Sequence, residues 1–288
     1  MKKYIGIVSV FVFLLSFTAL IVKGCDEEND NQSMEIIEGC EEKLSFDSKY
    51  ETNHVNVFKQ NSVRKEWTSC YDVVGQVIQY SSYITSYNPK TLTATWVAYE
   101  LSANHTDGPY SRKGLRFVQD PDCPWPQAED ADYKGSGYSR GHLVPAGDMK
   151  WDSVAMRECF YFTNCIPQDT KFNNGKWNQL EERTRRLAKE YGTVYVVCGP
   201  VYEQRDTIRI GANGVAVPHK CFKALMVPKN GSYSAIGFIM SNGGEEREVM
   251  DCACTIDSLE SVVGMDLFCN LPDKLEKVVE SAVTLEDW

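Results

Sequence analysis

Two short stretches of this sequence contain the residue types that hydrolysis of a phosphodiester needs. The first has Arg140 and His142 on either side of a glycine, and the second, further along the chain, has Asn173 and Glu181. A neutral imidazole can accept a proton near pH 7, and a guanidinium binds phosphate oxygens. Amide and carboxylate oxygens are suitable ligands for a hard cation such as Mg²⁺. Together the two stretches predict metal-assisted cleavage, in which a base acts on water and a cation acts on the phosphate.

His142 is the candidate general base, and Arg140 is the candidate substrate-binding residue. Because alternate residues of a strand face the same side, Arg140 and His142 would act on one substrate. The Arg140 guanidinium can grip a phosphate in bidentate fashion and stabilise the transition state. We expect structural roles for the other histidines, which lack such surroundings: His54, His105 and His219.

Asn173 and Glu181 are the candidate metal-binding residues. Eight residues of helix separate two side chains by about 12 Å along the axis. That is too far for both to bind one ion at ~2.1 Å. We therefore expect Asn173 to bind the metal directly and Glu181 to act through water. The alternatives are a helix N-cap role for Asn173 or Asn174 and an ion pair between Glu181 and Arg185.

At these residues the chain resembles the DNA/RNA non-specific endonucleases of the ββα-metal (His-Me finger) superfamily, the group that contains endonuclease G. Their hallmark is Asp-Arg-Gly-His, then an Asn-Ile-x-Pro-Gln-like stretch, then Asn-x-x-x-Trp-x-x-x-Glu. This chain has Ser-Arg-Gly-His at 139–142, Asn-Cys-Ile-Pro-Gln at 164–168, and Asn173, Trp177 and Glu181 at the third spacing.

The resemblance extends from about Trp96 to about Pro272 and departs at Ser139, where the family has Asp. We expect an Asp there to shape the turn rather than to do chemistry, so activity should survive the change. The family also uses an arginine upstream of a Phe-x-x-Asp-Pro stretch. Here Arg112 and Arg116 both fit that description.

The resemblance implies an α+β fold, with a central, mostly antiparallel sheet flanked by helices and a ββα-metal finger as active site. It implies DNA and RNA as substrates, 5′-phosphate products, and Mg²⁺ as cofactor, with Mn²⁺ or another divalent cation as alternatives. It also allows a homodimer. Two other functions stay open: a phosphodiesterase for small nucleotides or other diesters, and an inactive nucleic-acid-binding surface protein. The intact His142, Asn173 and Glu181 argue against the inactive protein.

Residue patterns predict the elements that position these side chains. A segment 137–149 of strand and loop feeds a helix over 175–191, whose buried stripe includes Trp177 and Leu180 and which Gly192 ends. Runs rich in Val, Ile, Tyr and Phe, bounded by turn residues, predict strands. The predicted strands are 73–83, 92–99, 194–202, 215–227 and 233–240, and the further helices are 257–263 and 273–283.

The N-terminus predicts export. Residues 1–24 have the lysines and apolar run of a signal peptide, and Cys25 follows as a lipidation site of lipoprotein type. The apolar run of about 19 residues would also suffice as an uncleaved membrane anchor. We therefore expect a membrane-anchored protein in the periplasm or on the surface of a bacterium. The composition predicts an acidic disordered tether over residues 25–44 and an endonuclease domain over 45–288.

Charge and cysteine content agree with an exported nuclease. The net charge of −10 is concentrated in the tether, since residues 26–42 contain eight acids and no base. Between residues 171 and 189, six bases face two acids, which favours phosphate binding. If Cys25 carries lipid, ten of the 11 cysteines remain, an even number that suits disulfides in an oxidising compartment. Zinc binding at Cys252 and Cys254 is the alternative.

Overall fold

The computed structural model of the chain describes residues 76–203, 207–244, 246–269, 271–285 and 288. The signal segment, Cys25 and the acidic tether lie outside the described residues, so the expectations about them stay predictions. Among the described residues, no helix has both the length and the apolar character needed to cross a membrane.

The described chain contains eleven strands and five helices, besides four short 3₁₀ turns. The strands are β1 Gln76–Gln79, β2 Ile84–Asn88, β3 Thr93–Ser102, β4 Tyr138–His142, β5 Cys165–Asp169, β6 Thr193–Val201, β7 Arg209–Ile210, β8 Val215–Ala216, β9 Lys220–Lys229, β10 Ser232–Ser241 and β11 Ala253–Cys254. The helices are α1 Asp130–Tyr133, α2 Ser153–Glu158, α3 (the consecutive segments Thr170–Phe172, Asn173–Trp177 and Asn178–Tyr191), α4 Ile256–Val263 and α5 Asp273–Ser281.

A seven-stranded sheet in the order β1-β2-β3-β6-β9-β10-β11 forms the centre of the molecule. Every neighbouring pair in it is antiparallel. Strands β4 and β5 pair separately beside it, and β7 pairs with β8. The predicted α+β class with a mostly antiparallel sheet flanked by helices is confirmed.

Three predicted strands match β3, β6 and β10, and two predicted strands are interrupted. The run 73–83 contains β1 but ends in a tight turn, in which the amide of Tyr80 donates to the carbonyl of Tyr83 at 2.9 Å. The run 215–227 is broken before Pro218, which has no amide hydrogen for a strand ladder. Both breaks have a signal in the sequence: Ser81 and Ser82 in the first run, and Pro218 in the second.

The two faces of the central sheet are covered differently. The finger side carries α3 and the β4–β5 pair, whose residues Trp177, Leu180 and Ile166 join the larger core cluster. The helix-pair side carries α4 and α5, whose residues Leu259 and Val279 join the smaller cluster. Along each central strand, alternate side chains serve one core and then the other.

Helix α3 begins earlier than the sequence predicted. Its N-cap is Asp169, whose carboxylate accepts from the amides of Lys171 and Phe172, so the proposed N-cap role of Asn173 or Asn174 is wrong. The predicted end is confirmed, since Gly192 follows the helix with a positive φ of 84°. Helices α4 and α5 confirm the predicted segments 257–263 and 273–283, whereas the short α1 and α2 were not predicted.

The expected disulfides do not form among six of the described cysteines. Each of these residues is buried or half-buried as a free thiol and packs like a small apolar side chain. For example, the thiol of Cys198 donates to the carbonyl of Leu143 at 3.3 Å, and that of Cys165 donates to the Tyr133 hydroxyl at 3.4 Å. The free thiols are Cys123, Cys159, Cys165, Cys198, Cys221 and Cys254.

Candidate active site

Strands β4 and β5 and helix α3 form a finger that holds the candidate residues. His142 pairs with Cys165 at one end of the strand pair, and Gly141 pairs with Ile166. A β-carbon at Gly141 would collide with the buried side chain of Gln168, so a glycine is needed there. The indole of Trp177 donates to the carbonyl of His142 at 3.4 Å and ties the helix to the strand.

Two buried asparagines fix this finger in place. Asn164 accepts from the amide of Val144 at 2.9 Å and donates back to its carbonyl at 3.0 Å, which holds the chain just after His142. Asn242 accepts from the amide of Asp169 at 3.0 Å and donates to the carbonyl of Pro167 at 3.0 Å. Asn242 lies at the end of β10, so it anchors the finger to the central sheet.

Asn173 lies where α3 widens into a π-helical turn, Asn173–Trp177. Gly175 within this turn has φ −104° and ψ −106°, outside the helical range. Such turns insert an extra residue into a helix and frequently occur at functional sites. The wider turn changes the angular offset between Asn173 and Glu181 that a regular helix would give. Both residues now face one cavity.

All four predicted site residues line a single cavity of about 580 Å³: Arg140, His142, Asn173 and Glu181. Arg112, Lys150 and Arg185 also line it, whereas Arg116 does not. Arg112 is therefore the upstream arginine that lies at the candidate site. Four basic side chains around one carboxylate make this cavity suitable for an anionic substrate.

The His142 imidazole is held between aromatic rings. Its centroid lies 4.5 Å from that of Phe117 and 4.7 Å from that of Phe160, in the second case edge to face. Burial lowers the pKa of His142 to about 3, and the nearby Arg112 acts in the same direction. The Nε2 atom is buried and has no hydrogen-bond partner among the described residues. At neutral pH the ring is uncharged.

Glu181 is a half-buried carboxylate at the inner wall of the cavity. Burial raises the pKa of Glu181 to about 7, although the positive charges of Lys223 and Arg185 act against the increase. Lys223 on β9 is fully buried, and its Nζ lies 4.7 Å from the ring centroid of Trp177. Within the described part of the chain this Nζ has no hydrogen-bond partner. This lysine places a positive charge behind the carboxylate, and the sequence analysis did not identify it.

Asp148 and Arg185 form an ion pair that the sequence analysis also missed. The guanidinium of Arg185 donates to the carboxylate of Asp148 at 2.8 Å, and the hydroxyl of Tyr99 donates to the same carboxylate at 2.8 Å. Asp148 is fully buried. Arg185 thus pairs with Asp148 rather than with Glu181, the partner that the alternative interpretation gave it. Its only sequence signal is that both residues lie close to the recognised motifs.

Arg140 contacts the cavity but is also bound to another segment of the protein. Its Nη2 lies 2.8 Å from the carboxylate and 2.7 Å from the backbone carbonyl of Asp130, and its guanidinium lies over the Tyr133 ring at 5.3 Å. Only part of its hydrogen-bonding capacity is left for a phosphate. Ser139, at the position where the family has Asp, bonds through its hydroxyl to Thr170 at the start of α3.

Comparison with known proteins agrees with this arrangement. The sequence profile of the DNA/RNA non-specific endonuclease family matches residues 68–274, and the chain belongs to that family. It is 36% identical over 208 residues to the mitochondrial nuclease EXOG of Xenopus laevis, a match covering 67% of this chain and 58% of that protein. It is 35% identical over 214 residues to nuclease C1 of Cunninghamella echinulata, covering 69% and 83% respectively.

The fold is likewise that of a known nuclease. A chain from the crystal structure of the EndoG/EndoGI complex superposes with a TM-score of 0.66 at 27% identity, covering 76% of this chain and 96% of that chain. The matched region spans about three fifths of the EXOG proteins from Xenopus laevis and Danio rerio. Family and fold are therefore established.

Proposed function

We propose that this protein is a metal-dependent endonuclease that hydrolyses phosphodiester bonds of DNA and RNA with little sequence preference. The observation that carries the proposal is the meeting of His142, Asn173 and Glu181 in one cavity lined by four basic side chains. The chain belongs to a family of nucleases, and its relatives are named as such. Broad sequence tolerance fits a cavity that offers charges for phosphate rather than an element for reading base edges.

The cavity suits a divalent cation of the hard type. Its wall presents the amide of Asn173 and the carboxylate of Glu181, which are oxygen ligands of the kind that Mg²⁺ prefers. We assign direct binding to Asn173 and binding through water to Glu181, with Mg²⁺ as the ion. A bound cation would neutralise charge on the phosphate oxygens and on the leaving oxygen. Lys223 lies deeper than Glu181 and would orient its carboxylate by attraction.

His142 is proposed to remove a proton from the attacking water. The imidazole is neutral over the physiological range, so one ring nitrogen has a lone pair to accept the proton, although its low pKa makes it a weak base in the cation-free cavity. Because Nε2 is buried, the proton-accepting atom is assigned to Nδ1. Arg112 and Arg140 would bind the phosphate oxygens. Arg185 already donates to Asp148, so it would contribute mainly positive potential.

Substrate size separates this proposal from a small-molecule phosphodiesterase. The purified chain would be incubated with plasmid DNA, with single-stranded RNA and with a chromogenic thymidine diester, each with Mg²⁺ and with a chelator. We expect metal-dependent cleavage of both polymers and slow turnover of the small diester. Rapid turnover of the diester with intact polymers would favour the small-molecule enzyme. Intact substrates in all three assays would favour an inactive binding protein.

The metal role of Asn173 has a matched control in the next residue. Asn173→Ala should reduce cleavage and raise the Mg²⁺ concentration needed for half-maximal rate far more than Asn174→Ala does. Both side chains line the cavity, and Asn173 is the assigned metal ligand. Asn174 is more exposed and has no assigned ligand role, so it is the matched control. Equal effects of the two substitutions on the Mg²⁺ dependence would show that the ligand assignment is wrong.

We also propose that the protein is exported and held at a membrane through residues 1–25. The proposal rests on the lysines, the apolar run and Cys25 in the sequence. Cys25→Ala should release the protein from the membrane fraction if a lipid on that residue is the anchor. Membrane association that survives this substitution would point to an uncleaved apolar helix. A protein that fractionates with the cytoplasm in both forms would contradict export.

A further inference from the structure

A cluster of carboxylates on the helix-pair side stands apart from the candidate active site. Asp257 and Glu260 lie one turn apart on α4, so they share a face of that helix. Glu280 lies in the last turn of α5, which packs against α4. One oxygen of each of the three residues lies within 4.8 Å of an oxygen of the others.

Glu280 is the unusual member of this cluster. The residue is only 5% exposed, and its Oε1 has no hydrogen-bond partner among the described residues. A buried carboxylate without partners is costly, and the negative end of the α5 dipole adds to the cost. Burial, followed by the neighbouring Glu260 and Glu276, raises the pKa of Glu280 to about 9. The described part of the chain shows no ion pair for this side chain.

We propose that Asp257, Glu260 and Glu280 form a second cation site, separate from the catalytic cavity, that takes a Ca²⁺-like divalent ion. Oxygens on opposite sides of a Ca²⁺ ion lie roughly 4.6–5.2 Å apart, because each bond is about 2.3–2.6 Å long. The three oxygens lie within 4.8 Å of one another, so one ion of this size can contact all three.

The remaining ligands of such an ion can come from water and from second carboxylate oxygens, as is usual for Ca²⁺. Glu260 already accepts from the amide of Leu267 at 2.6 Å through Oε1, which fixes its carboxylate. Asp257 is exposed and gives the ion access from solvent. The ion would link α4 to α5 and thereby hold the C-terminal helix against β10. Its role is structural, and the cavity lies on the other side of the sheet.

Thermal unfolding of the full chain tests the proposal. After chelation, CaCl₂ is added to a parent protein and to its variants. The parent and every variant carry Asn173→Ala, which weakens cation binding in the cavity. We expect millimolar Ca²⁺ to raise the Tm of the parent by about 3 °C or more, by mass action on the folded state. The proposal would be overturned if the Tm did not increase at any Ca²⁺ concentration up to 10 mM. This limit is roughly ten times the Kd of a weak extracellular Ca²⁺ site.

Three substitutions then locate the site. Glu280→Gln should keep or raise the Tm of the cation-free protein, because a neutral amide replaces a buried acid that is costly to ionise, and should lose the Ca²⁺-dependent increase. Asp257→Asn lies at the surface, so the fold should tolerate it, and the increase should shrink. Asp273→Asn is the matched control, since this exposed acid at the start of α5 is outside the cluster. An undiminished increase in the first two variants, or an equal loss in the third, would overturn the proposal.

Discussion

Buried carboxylates on the two sides of the central sheet have opposite surroundings. On the finger side, Asp148 is fully buried and receives hydrogen bonds from Arg185 and Tyr99. On the helix-pair side, Glu280 is almost as deeply buried, and the charges that act on it are those of other acids. On the finger side, the buried acid is therefore neutralised by the positive side chain of another residue of the chain. The other side leaves that task to a proton or to an ion from solution.

This difference shows how a buried charge can be either fixed or conditional. A pair such as Asp148–Arg185 is present whenever the chain is folded, and it can position neighbouring groups for chemistry. The net charge of an acidic cluster changes with pH and with the cation concentration, so it can make the stability of the protein depend on both. The Asp148–Arg185 pair lies beside the candidate active-site cavity. The acidic cluster lies between α4 and α5.

The largest expected effect is the loss of cleavage rate in His142→Ala, because His142 is the proposed general base on the finger side. His142→Ala should lower the rate of plasmid cleavage by about two to four orders of magnitude, the range typical of a lost general base. His219→Ala is the control, because that imidazole is exposed and lies beside Glu203, outside the cavity. Circular dichroism would confirm that both variants are folded. Near-parental cleavage by His142→Ala would remove the central claim about the site.

The next effect tests whether the finger-side charges are fixed by pairing. Arg185→Ala leaves the buried carboxylate of Asp148 without its cation and should cost about 3 kcal/mol in the free energy of unfolding. Arg186→Ala, an exposed neighbour on the same helix, should change stability by less than about 0.5 kcal/mol. Urea unfolding with chelator present measures both. Equal stabilities for the two variants would mean that Asp148 does not depend on Arg185.

The smallest effect is a pH dependence on the finger side. Glu181 has an ordinary pKa of 4.5 and a folded-state pKa of about 7. The folded protein thus binds more protons than the unfolded chain between these values, and stability falls as pH rises from 4.5 through 7. Glu181→Gln should remove this fall, on the order of 1–3 kcal/mol, when unfolding is measured by urea at pH 5 to 8 without metal.

His142 contributes with the opposite sign over an overlapping range. Its pKa falls from 6.5 to about 3 on folding, so its contribution is complete above pH 6.5 and is lost as pH decreases towards 3. Comparison of each variant with the parent separates the two contributions. Glu182→Gln, which changes an exposed acid one position away, serves as the control. Parallel stability curves for the parent and Glu181→Gln would contradict the raised pKa.

The sequence by itself determined the class of fold, the family and the residues that meet in the cavity. Motifs 139–142, 164–168 and 173–181 are short and local, so they are recognisable without knowledge of the fold. Helix α3 was also recognisable, since Trp177, Leu180, Leu187 and Ala188 are buried as the 3.6-residue period requires. Its start was misplaced, because an Asp four residues before Asn173 provides the cap and a π-turn continues the helix through both asparagines.

Only the tertiary structure decided which distant charges meet. Asp148 finds Arg185 on α3 across 37 positions of the chain, and Lys223 reaches Trp177 and Glu181 from the middle of an apolar strand. Glu280 meets Asp257 only because two helices pack side by side. Local patterns cannot specify these partners, since an arginine or an acid on a helix satisfies the same periodicity whether it faces water or a buried countercharge. Packing on the two faces of the sheet determines which it is.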